Sequence, residues 1–464
     1  MKRTLCSLLV FFFASPLCDA NESSGTPNFV FIQGEGQGWA STSVQLDPNE
    51  PESKSRSFST PNLERLAREG IRFSNYYAPS PRCTPSRATY FTGLSPARLR
   101  MTFTGAGGDT GKALIEPRVV SELPQDVTTI AELLKTAGYA NAHFGKWHVG
   151  KVDPQVHGFD ESDGATSNGG PENSRNPNPK QAYGMTERGI SFIKRNVAAR
   201  KPFYLQLSHY GGRSQDDAKP ETFDKTLRLG LGRDERNIGA AAVAFDMDIT
   251  IGMLLETLDE LNIADNTYVI YTADHGMAIG RHGLQGKQNL YQHTWRVPLV
   301  VKGPGIKPGS RVEGNVYLLD VLSTLCDLAD VEPPVTNEGQ SFQPVLEGER
   351  ETIRDVLYGV YCGGTKPGMR CVKKGDWKLI KYDVMEGTVR KTQLFNLREN
   401  PHEFLSEHHA PAVTELMEGV PKGNQLNLAD DPRYAAKRLE LEALLLSEQR
   451  RLDDPYRLWD QPKD

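Results

Sequence analysis

Short apolar runs bounded by Gly, Pro or Asn recur along the first two-thirds of the chain. Runs of this kind are typical of strands that are buried on both faces of a parallel sheet. The predicted strands lie at residues 28–32, 71–73, 142–144, 202–207, 267–272 and 297–301.

Segments with a helical spacing of apolar residues separate these strands. The clearest spans residues 60–70, which begin with Thr60-Pro61 and end with Gly70, the residue types favoured where helices start and stop. Further helices are predicted at residues 128–137, 238–261 and 434–452. Strands that alternate with helices indicate an α/β fold, in which a large, mainly parallel sheet is flanked by helices.

The pattern changes from about residue 339 onward. Short β-rich runs at residues 356–361 and 377–382 precede the charged helix at 434–452, which favours a smaller α+β subdomain with an antiparallel sheet. We therefore predict a catalytic domain at residues 21–338 and a C-terminal subdomain at residues 339–464.

The first 20 residues have the pattern of a secretory signal peptide. Two basic residues precede an apolar run at 5–14, and residues 18–20 resemble a small-residue cleavage site. The apolar run is too short to span a bilayer. A lipoprotein anchor at Cys18 is the alternative, which the bulky Leu17 before it disfavours. We expect export to the periplasm or the extracellular space, and no integral membrane segment in the rest of the chain.

The composition is that of a soluble globular protein, with 464 residues of which 38% are hydrophobic and 24% charged. The formal net charge of −5 argues against a nucleic-acid partner, because there is no basic surplus to neutralise phosphates. Cys362 and Cys371 flank a Gly-rich turn and could pair in an oxidising compartment. Cys326 lies inside an apolar run and is expected to be a buried core thiol.

The stretch around Cys83 carries the strongest chemical signal, with Pro-Arg-Cys-Thr-Pro-Ser-Arg at residues 81–87 followed by Ala-Thr-Tyr-Phe-Thr-Gly. A cysteine just before a helix has its thiolate favoured by free backbone N–H groups and by the positive end of the helix dipole. Pro85 suits a first helical turn, and Arg87 lies one turn on, able to reach back over Cys83. These residues indicate an activated position that faces an anion. A structural cysteine beside a helix start is the alternative.

Two further groups of polar residues follow predicted strands. Asp274 and His275 follow the strand at 267–272 and offer ligands for a divalent metal, or else form an Asx-type turn with a solvent-exposed histidine. Lys146 and His148 follow the strand at 142–144 and offer a cation and a titratable imidazole, or else belong to a surface loop. Parallel sheets place ligands at the carboxyl ends of their strands, so these residues are expected to share one site.

Together these segments resemble the type I sulfatases of the alkaline-phosphatase superfamily. The resemblance runs in order from residue 27 to about residue 410, and includes Gly-Lys-Trp-His-Val-Gly at 145–150 and Arg-His-Gly-Leu-Gln-Gly-Lys at 281–287. It implies an alkaline-phosphatase-like fold and an exported sulfatase of the bacterial type. It also implies that a modifying enzyme oxidises Cys83 to formylglycine, whose hydrate is the nucleophile that attacks the sulfuric ester.

The same resemblance implies roles for individual residues. A Ca²⁺ ion, one per chain and replaceable by Mg²⁺, would be held by Glu35, Cys83, Asp274 and His275. The catalytic residues would be Cys83, Arg87, Lys146, His148 and Lys287. In this family the two lysines hold the sulfate, and the histidine acts on the formylglycine hydroxyl.

The first departure from the family pattern concerns the metal ligands. Where the family has paired aspartates after the first strand, this chain has Glu35 and Gly36. The site loses about one negative charge, so calcium affinity should fall unless Gln37, another carboxylate or water compensates.

The second departure concerns the general acid. Arg213 stands where the family has a second histidine, and a guanidinium can bind sulfate but cannot release a proton near neutral pH. The residues that could serve as the acid instead are His209, His282 and Lys287. Arg213, His209 and His282 are the predicted substrate-binding residues.

Three functions are compatible with these motifs. The first is hydrolysis of a sulfuric ester in a sulfated sugar or polysaccharide. The second is hydrolysis of a phosphate or phosphonate monoester, because related pockets accept a tetrahedral phosphorus centre. The third is a non-catalytic binding protein, an interpretation motivated by Gly36 and Arg213. No motif identifies the alcohol half of the substrate, which would be recognised by rim loops such as residues 164–180, rich in Gly, Asn and Pro.

Overall fold

The computed structural model describes residues 25–104, 119–169, 178–231, 235–279, 281–284, 286–363, 365–384, 387–406 and 423–462. The predicted signal peptide at residues 1–20 lies outside the described residues. The described chain contains one large sheet and one small sheet, each with helices packed on it.

Eight strands form the large sheet: β1 (Asn28–Gly34), β2 (Ile71–Tyr77), β3 (Ala140–Gly145), β4 (Glu161–Ser162), β5 (Phe203–Ser208), β6 (Thr267–Ala273), β7 (Leu299–Lys302) and β8 (Ser310–Tyr317). Their order across the sheet is β4-β3-β5-β1-β6-β7-β2-β8. Strand β7 runs antiparallel to β6 and β2, and the other pairings are parallel. The predicted mainly parallel sheet is confirmed.

Strand β1 shows why the sequence contains uniformly apolar runs. Phe29 and Phe31 pack into a hydrophobic cluster on one face of the sheet, and Val30 and Ile32 pack into a separate cluster on the other. Successive residues of a strand point to opposite faces, so a strand covered on both sides needs apolar residues throughout.

Nine helices of the described chain belong to the large sheet's side of the fold: α1 (Pro61–Glu69), α2 (Cys83–Thr92), α3 (Ile130–Thr136), α4 (Ala182–Ala198), α5 (Pro220–Arg228), α6 (Glu235–Glu260), α7 (Gln292–Trp295), α8 (Val321–Leu328) and α9 (Gln343–Leu346). The start of α3 is fixed by a capping box. The Thr129 hydroxyl accepts from the Glu132 N–H, and the Glu132 carboxylate accepts from the Thr129 N–H. This helix is shorter than the predicted 128–137 because the cap fixes its first turn.

Helix α6 is long and apolar enough over Ile238–Glu260 to cross a bilayer by length and composition alone. In the fold, 72% of that apolar window is buried inside the protein, which is the pattern of a core helix. No other helix in the described part of the chain passes the same test.

The small sheet is antiparallel and contains β9 (Val356–Gly363), β10 (Thr365–Lys374), β11 (Trp377–Val384) and β12 (Val389–Asn396). One face packs through Leu357 and Ile380 against Trp295 of the large unit. The other face packs against Leu441 and Leu445 of α10 (Ala435–Arg451). The predicted smaller α+β unit is confirmed, and the boundary at residues 338 and 339 stays a prediction.

The cysteines of the described chain are buried. Cys326 is fully buried in α8, as predicted. Among the described residues no disulfide joins Cys362 to Cys371, because Cys371 lies opposite Gly359, three residues before Cys362 on β9. The pairing that the sequence allowed is therefore not formed.

A buried ion pair joins the small sheet to the segment after α10. Arg370 donates from Nε and Nη2 to the Asp454 carboxylate at 2.6 and 3.0 Å, and neither side chain is more than 1% exposed. Arg370→Met would leave a buried, unpaired carboxylate, so we expect the free energy of unfolding to fall by about 3–5 kcal/mol. Urea denaturation measures this, with Arg398→Met, at an exposed pair with Asp376, as the control that changes little. Equal effects of the two variants would contradict the prediction.

Candidate active site

The predicted chemical residues meet at the carboxyl ends of four neighbouring strands, β3, β5, β1 and β6. Lys146 follows β3, His209 follows β5, Glu35 follows β1 and Asp274 follows β6. Parallel strands bring such termini to one edge of a sheet. Residues that lie far apart in the sequence are therefore assembled into one cluster.

Cys83 is the first residue of α2 and lies within this cluster, 2% exposed. Its Sγ is 3.0 Å from Nζ of Lys287 and 3.5 Å from Nζ of Lys146. The same Sγ is 3.3 Å from Nε2 of His275 and 3.1 Å from Oε1 of Glu35. A sulfur surrounded by cationic groups is in the environment that favours a thiolate.

Arg87 donates hydrogen bonds to the two carboxylates of the cluster, those of Glu35 and Asp274. Its Nε donates to Oδ2 of Asp274 at 3.1 Å, and its Nη2 donates to Oε2 of Glu35 at 3.2 Å. Its Nη1 donates to the backbone carbonyl of Lys146. The residue is completely buried, and the hydrogen bonds of its guanidinium go to these carboxylates and this carbonyl, so it orients the carboxylates.

Two ammonium groups contact the same carboxylate. Nζ of Lys146 lies 3.1 Å and Nζ of Lys287 2.9 Å from Oε1 of Glu35. Together with Arg87, these lysines place three cationic side chains around the carboxylates of Glu35 and Asp274. The cluster therefore carries a surplus of positive charge, which suits an anionic ligand.

The charges of the cluster control the pKa of residue 83. Burial and the charge of Glu35 act to raise the pKa of the Cys83 thiol, but the neighbouring cations, Lys146 first among them, outweigh both and hold it well below its usual value. Burial also acts to raise the pKa of Glu35, yet Lys146 and Lys287 hold it well below the usual range. Residue 83 is therefore an electrostatically activated position.

Four groups could hold a divalent metal ion, and their ligand atoms all lie within 4.8 Å of one another: Glu35, Cys83, Asp274 and His275. Nδ1 of His275 donates to the Gly276 carbonyl at 2.7 Å, which leaves Nε2 directed into the cluster. The ammonium nitrogen of Lys287 lies within 3.0 Å of the ligand atoms of three of these groups, Glu35, Cys83 and His275. The potential metal-ligand atoms therefore already surround a cationic group. The residues present fit a divalent metal ion.

The pKa values of two of these potential ligands are raised, and metal binding would oppose both shifts because it favours the deprotonated ligands. Burial, helped by Glu35, raises the pKa of Asp274 to about 6. Burial acts to lower the pKa of His275, but the Asp274 carboxylate outweighs it and raises that pKa to about 9. A divalent cation would displace the imidazole proton, because metal binding releases protons from its ligands.

His148 is held next to Cys83 in a left-handed backbone conformation, with φ of 57°. Its N–H donates to the Thr166 carbonyl at 2.9 Å, and its carbonyl accepts from the Thr84 hydroxyl at 2.7 Å. The ring is within hydrogen-bonding reach of Cys83, and burial lowers its pKa. A neutral imidazole in this place can accept a proton from a group on residue 83.

The cluster opens into a cavity of 360 Å³ that combines charged and apolar side chains. His209 and Arg213 line it, as predicted for substrate-binding residues. Burial lowers the pKa of His209 to about 3, so its ring is neutral, and its Nε2 has no hydrogen-bond partner among the described residues. The apolar lining comes from Phe58, Val243, Ala244, Met247, Met277 and Ile279.

The sequence matches the Sulfatase family over residues 27–331 and the family described as N-sulphoglucosamine sulphohydrolase, C-terminal, over residues 280–427. It is 30% identical to N-acetylgalactosamine-6-sulfatase of Homo sapiens over 383 residues, which covers 73% of this chain and 69% of that protein. The chain belongs to the sulfatase family. It is a hydrolase that acts on sulfuric ester bonds.

Solved structures share the fold of this sulfatase. A protein in complex with its substrate D-glucosamine-2-N,6-O-disulfate has a TM-score of 0.71 and 21% identity, covering 93% of this chain and 99% of that one. A phosphonate monoester hydrolase from Silicibacter pomeroyi has a TM-score of 0.67 and 18% identity, covering 92% of this chain and 96% of that one. The alkaline-phosphatase-like arrangement that the sequence predicted is thereby confirmed.

The structure does not bring His282 to the cavity of this sulfatase. Its ring stacks on Tyr291, with 4.3 Å between ring centroids, and its Nε2 donates to the His402 carbonyl at 2.8 Å. His282 is therefore placed to hold the segment that carries Lys287, and it is not among the residues that line the cavity. Its predicted role in substrate binding stays a prediction.

Several residues of the site were not predicted from the sequence, and Asn168 and Met277 are two of them. Asn168 accepts a hydrogen bond from Nζ of Lys146 at 2.7 Å, and its only signal was its place in the predicted rim loop. Met277 lines the cavity and contacts the guanidinium of Arg213. A methionine has no motif of its own, so only the fold shows its position.

Proposed function

We propose that this sulfatase releases sulfate from a sulfated sugar or polysaccharide with a nucleophile formed at residue 83. The observation that carries the proposal is the cationic surround of Cys83, whose Sγ lies 3.0 and 3.5 Å from the ammonium groups of Lys287 and Lys146. Cations fixed in advance around the reacting group stabilise charge that develops on sulfate oxygens as the ester bond breaks.

The proposed substrate class rests on two relatives. The human relative is an N-acetylgalactosamine-6-sulfatase, and one solved relative holds the sulfated sugar D-glucosamine-2-N,6-O-disulfate as its substrate. A cavity of 360 Å³ with both charged and apolar lining suits a sugar ring, which has polar edges and apolar faces.

We propose that Cys83 is oxidised to formylglycine by a modifying enzyme. The hydrated aldehyde supplies two hydroxyl groups. One loses its proton and attacks sulfur as the S–O bond to the alcohol breaks, and the alcohol leaves with a proton from the Lys287 ammonium. The proton of the other hydroxyl is removed as the C–O bond to sulfate breaks, which re-forms the aldehyde. Support comes from the Cys-Thr-Pro-Ser-Arg motif at residues 83–87. Cys83 is 2% exposed in the folded chain, which favours oxidation before the chain folds, as the family resemblance implies.

The other residues have separate roles in this proposal. Lys146 and Lys287 bind the sulfate oxygens, and Lys287 stays protonated because Glu35 outweighs the effect of burial and raises its pKa. Arg87 keeps the carboxylates in place. His148 takes the proton of the second hydroxyl. The residues proposed to contact the sugar are His209 and Arg213.

A divalent cation, Ca²⁺ in this proposal and Mg²⁺ as the alternative, would be held by Glu35, Asp274, His275 and residue 83, and would lower the pKa of a bound hydroxyl. Removal of the metal with EDTA followed by dialysis is expected to lower the rate of sulfate release at least about tenfold. Added CaCl₂ should restore the rate, with metal content measured by mass spectrometry in the same samples. Full activity of a metal-free sample would contradict this role.

We also propose that the chain is exported, as the signal-like pattern of residues 1–20 indicates. Fractionation of cells that express the full chain tests this. The protein should appear in the periplasm or medium without its first residues, and a full-length chain that stays in the cytoplasm would contradict export.

Parallel assays on an aryl sulfate, an aryl phosphate, a phosphonate monoester and a panel of sulfated oligosaccharides test the proposed activity. We expect sulfate release from the aryl sulfate and from at least one oligosaccharide. Faster hydrolysis of the phosphorus esters would instead indicate a phosphate or phosphonate hydrolase. Binding of a sulfated ligand without release of sulfate would indicate a non-catalytic protein.

A further inference from the structure

Gly36 is the position from which one more ligand could enter the metal cluster. It follows Glu35 with φ of 66°, and its N–H donates to Oδ1 of Asp274 at 3.2 Å. A Cβ atom added here would lie 3.5 Å from Cε1 of His275. A side chain at residue 36 would therefore point toward the ligands.

That space is already filled by Met277. The added Cβ atom would lie only 2.7 Å from the terminal methyl of Met277, closer than nonbonded carbons approach, so this end of a flexible side chain would have to move. The Met277 sulfur in turn contacts the guanidinium of Arg213. The thioether therefore occupies the approach to the cluster that a ligand at residue 36 would use.

We infer that Met277 closes this coordination position, so that the His, Cys, Asp and Glu ligands offered by the described residues are Glu35, Asp274, His275 and residue 83, and the cation is weakly held and exchangeable. The inference rests on the proposed function, because it concerns the metal of that site. Gln37 is a weaker candidate ligand, since its amide oxygen already accepts a hydrogen bond from the Tyr271 hydroxyl.

The charges of the cluster also favour weak binding of the cation. Arg87, Lys146 and Lys287 contact the two ligand carboxylates, so a divalent ion enters a site that already carries a surplus of positive charge. Ca²⁺ takes about six to eight oxygen ligands, and its affinity rises with the charge that the ligands supply. A carboxylate at residue 36 would add charge, but only if Met277 gave way.

Calorimetric titration of the metal-stripped full chain with Ca²⁺ alone tests the inference. The variants are Gly36→Asp, Met277→Ala, Gly36→Asp with Met277→Ala, and the control Gly36→Ala with Met277→Ala, which opens the space without adding charge. Aspartate tolerates a left-handed backbone better than most residues, so it should be strained less than most side chains at residue 36. Thermal melts in EDTA identify variants whose fold is lost.

We expect the double variant that combines Gly36→Asp with Met277→Ala to bind Ca²⁺ at least about tenfold more tightly than the natural chain. The Gly36→Asp variant and the alanine control should show no gain. A full gain from Gly36→Asp alone, or no gain from a folded double variant, would overturn the inference. Sulfate release by the natural chain is assayed separately, so the proposed activity can fail while the affinities still hold.

Discussion

Cys83→Ala and Cys83→Ser are expected to lose sulfate release, with kcat/KM lowered at least about 10³-fold. Alanine supplies no nucleophile, and serine has one hydroxyl, so neither can expel sulfate through a second hydroxyl on the same carbon. Lys146 and Lys287 remain in both variants, so binding of a sulfated ligand should persist. Ion chromatography of released sulfate and calorimetry of ligand binding measure the two effects separately.

Cys326→Ala is the matched control for these variants. It removes a buried thiol in α8 that does not line the cavity, so the rate of sulfate release should stay close to that of the natural chain. If Cys83→Ala kept a rate within about tenfold of that control, residue 83 could not supply the nucleophile.

Lys146→Met is expected to lower kcat by about 10²–10³-fold, as does the loss of one fixed charge or hydrogen-bond donor from a site that stabilises a developing anion. The side chain is 1% exposed and 3.5 Å from the Cys83 sulfur, so water cannot replace its charge well. Methionine keeps most of the volume. Steady-state kinetics on an aryl sulfate measures the change in kcat and in KM.

Lys180→Met is the control that separates the effect of a cation next to Cys83 from the effect of removing any one positive charge from the site. Lys180 lines the cavity, and its ammonium pairs with Asp217 at 3.0 Å instead of contacting Cys83. Its loss should alter KM more than kcat. Equal losses of kcat in the Lys146 and Lys180 variants would show that the position of the cation relative to Cys83 does not matter, against the proposed mechanism.

The sequence predicted two features correctly: the buried strands, from their apolar runs, and the position of several site residues, from their place directly after a strand. Uniformly apolar runs predicted the buried sheet, because a strand covered on both faces must be apolar throughout. Glu35, Lys146 and Asp274 could be placed at one site because each follows a strand of that sheet. The direction of β7 could not be predicted, since an apolar run has no signal for parallel or antiparallel pairing.

Side-chain contacts between segments that are distant in the sequence could not be predicted. Arg87 was expected to reach over Cys83, but its guanidinium is used by the carboxylates of Glu35 and Asp274. His282 was expected at the substrate, and its ring packs on Tyr291. Both outcomes depend on which partners the fold brings within reach, and spacing along the chain does not encode that.

The most direct test of the account joins the chemistry of residue 83 to turnover. The chain is expressed with and without a formylglycine-generating enzyme, and mass spectrometry of the peptide that spans Cys83 gives the fraction converted to the aldehyde. Sulfate release per molecule should rise in proportion to that fraction and vanish when the thiol is intact. Full sulfate release from a sample in which Cys83 is entirely unmodified would contradict the account.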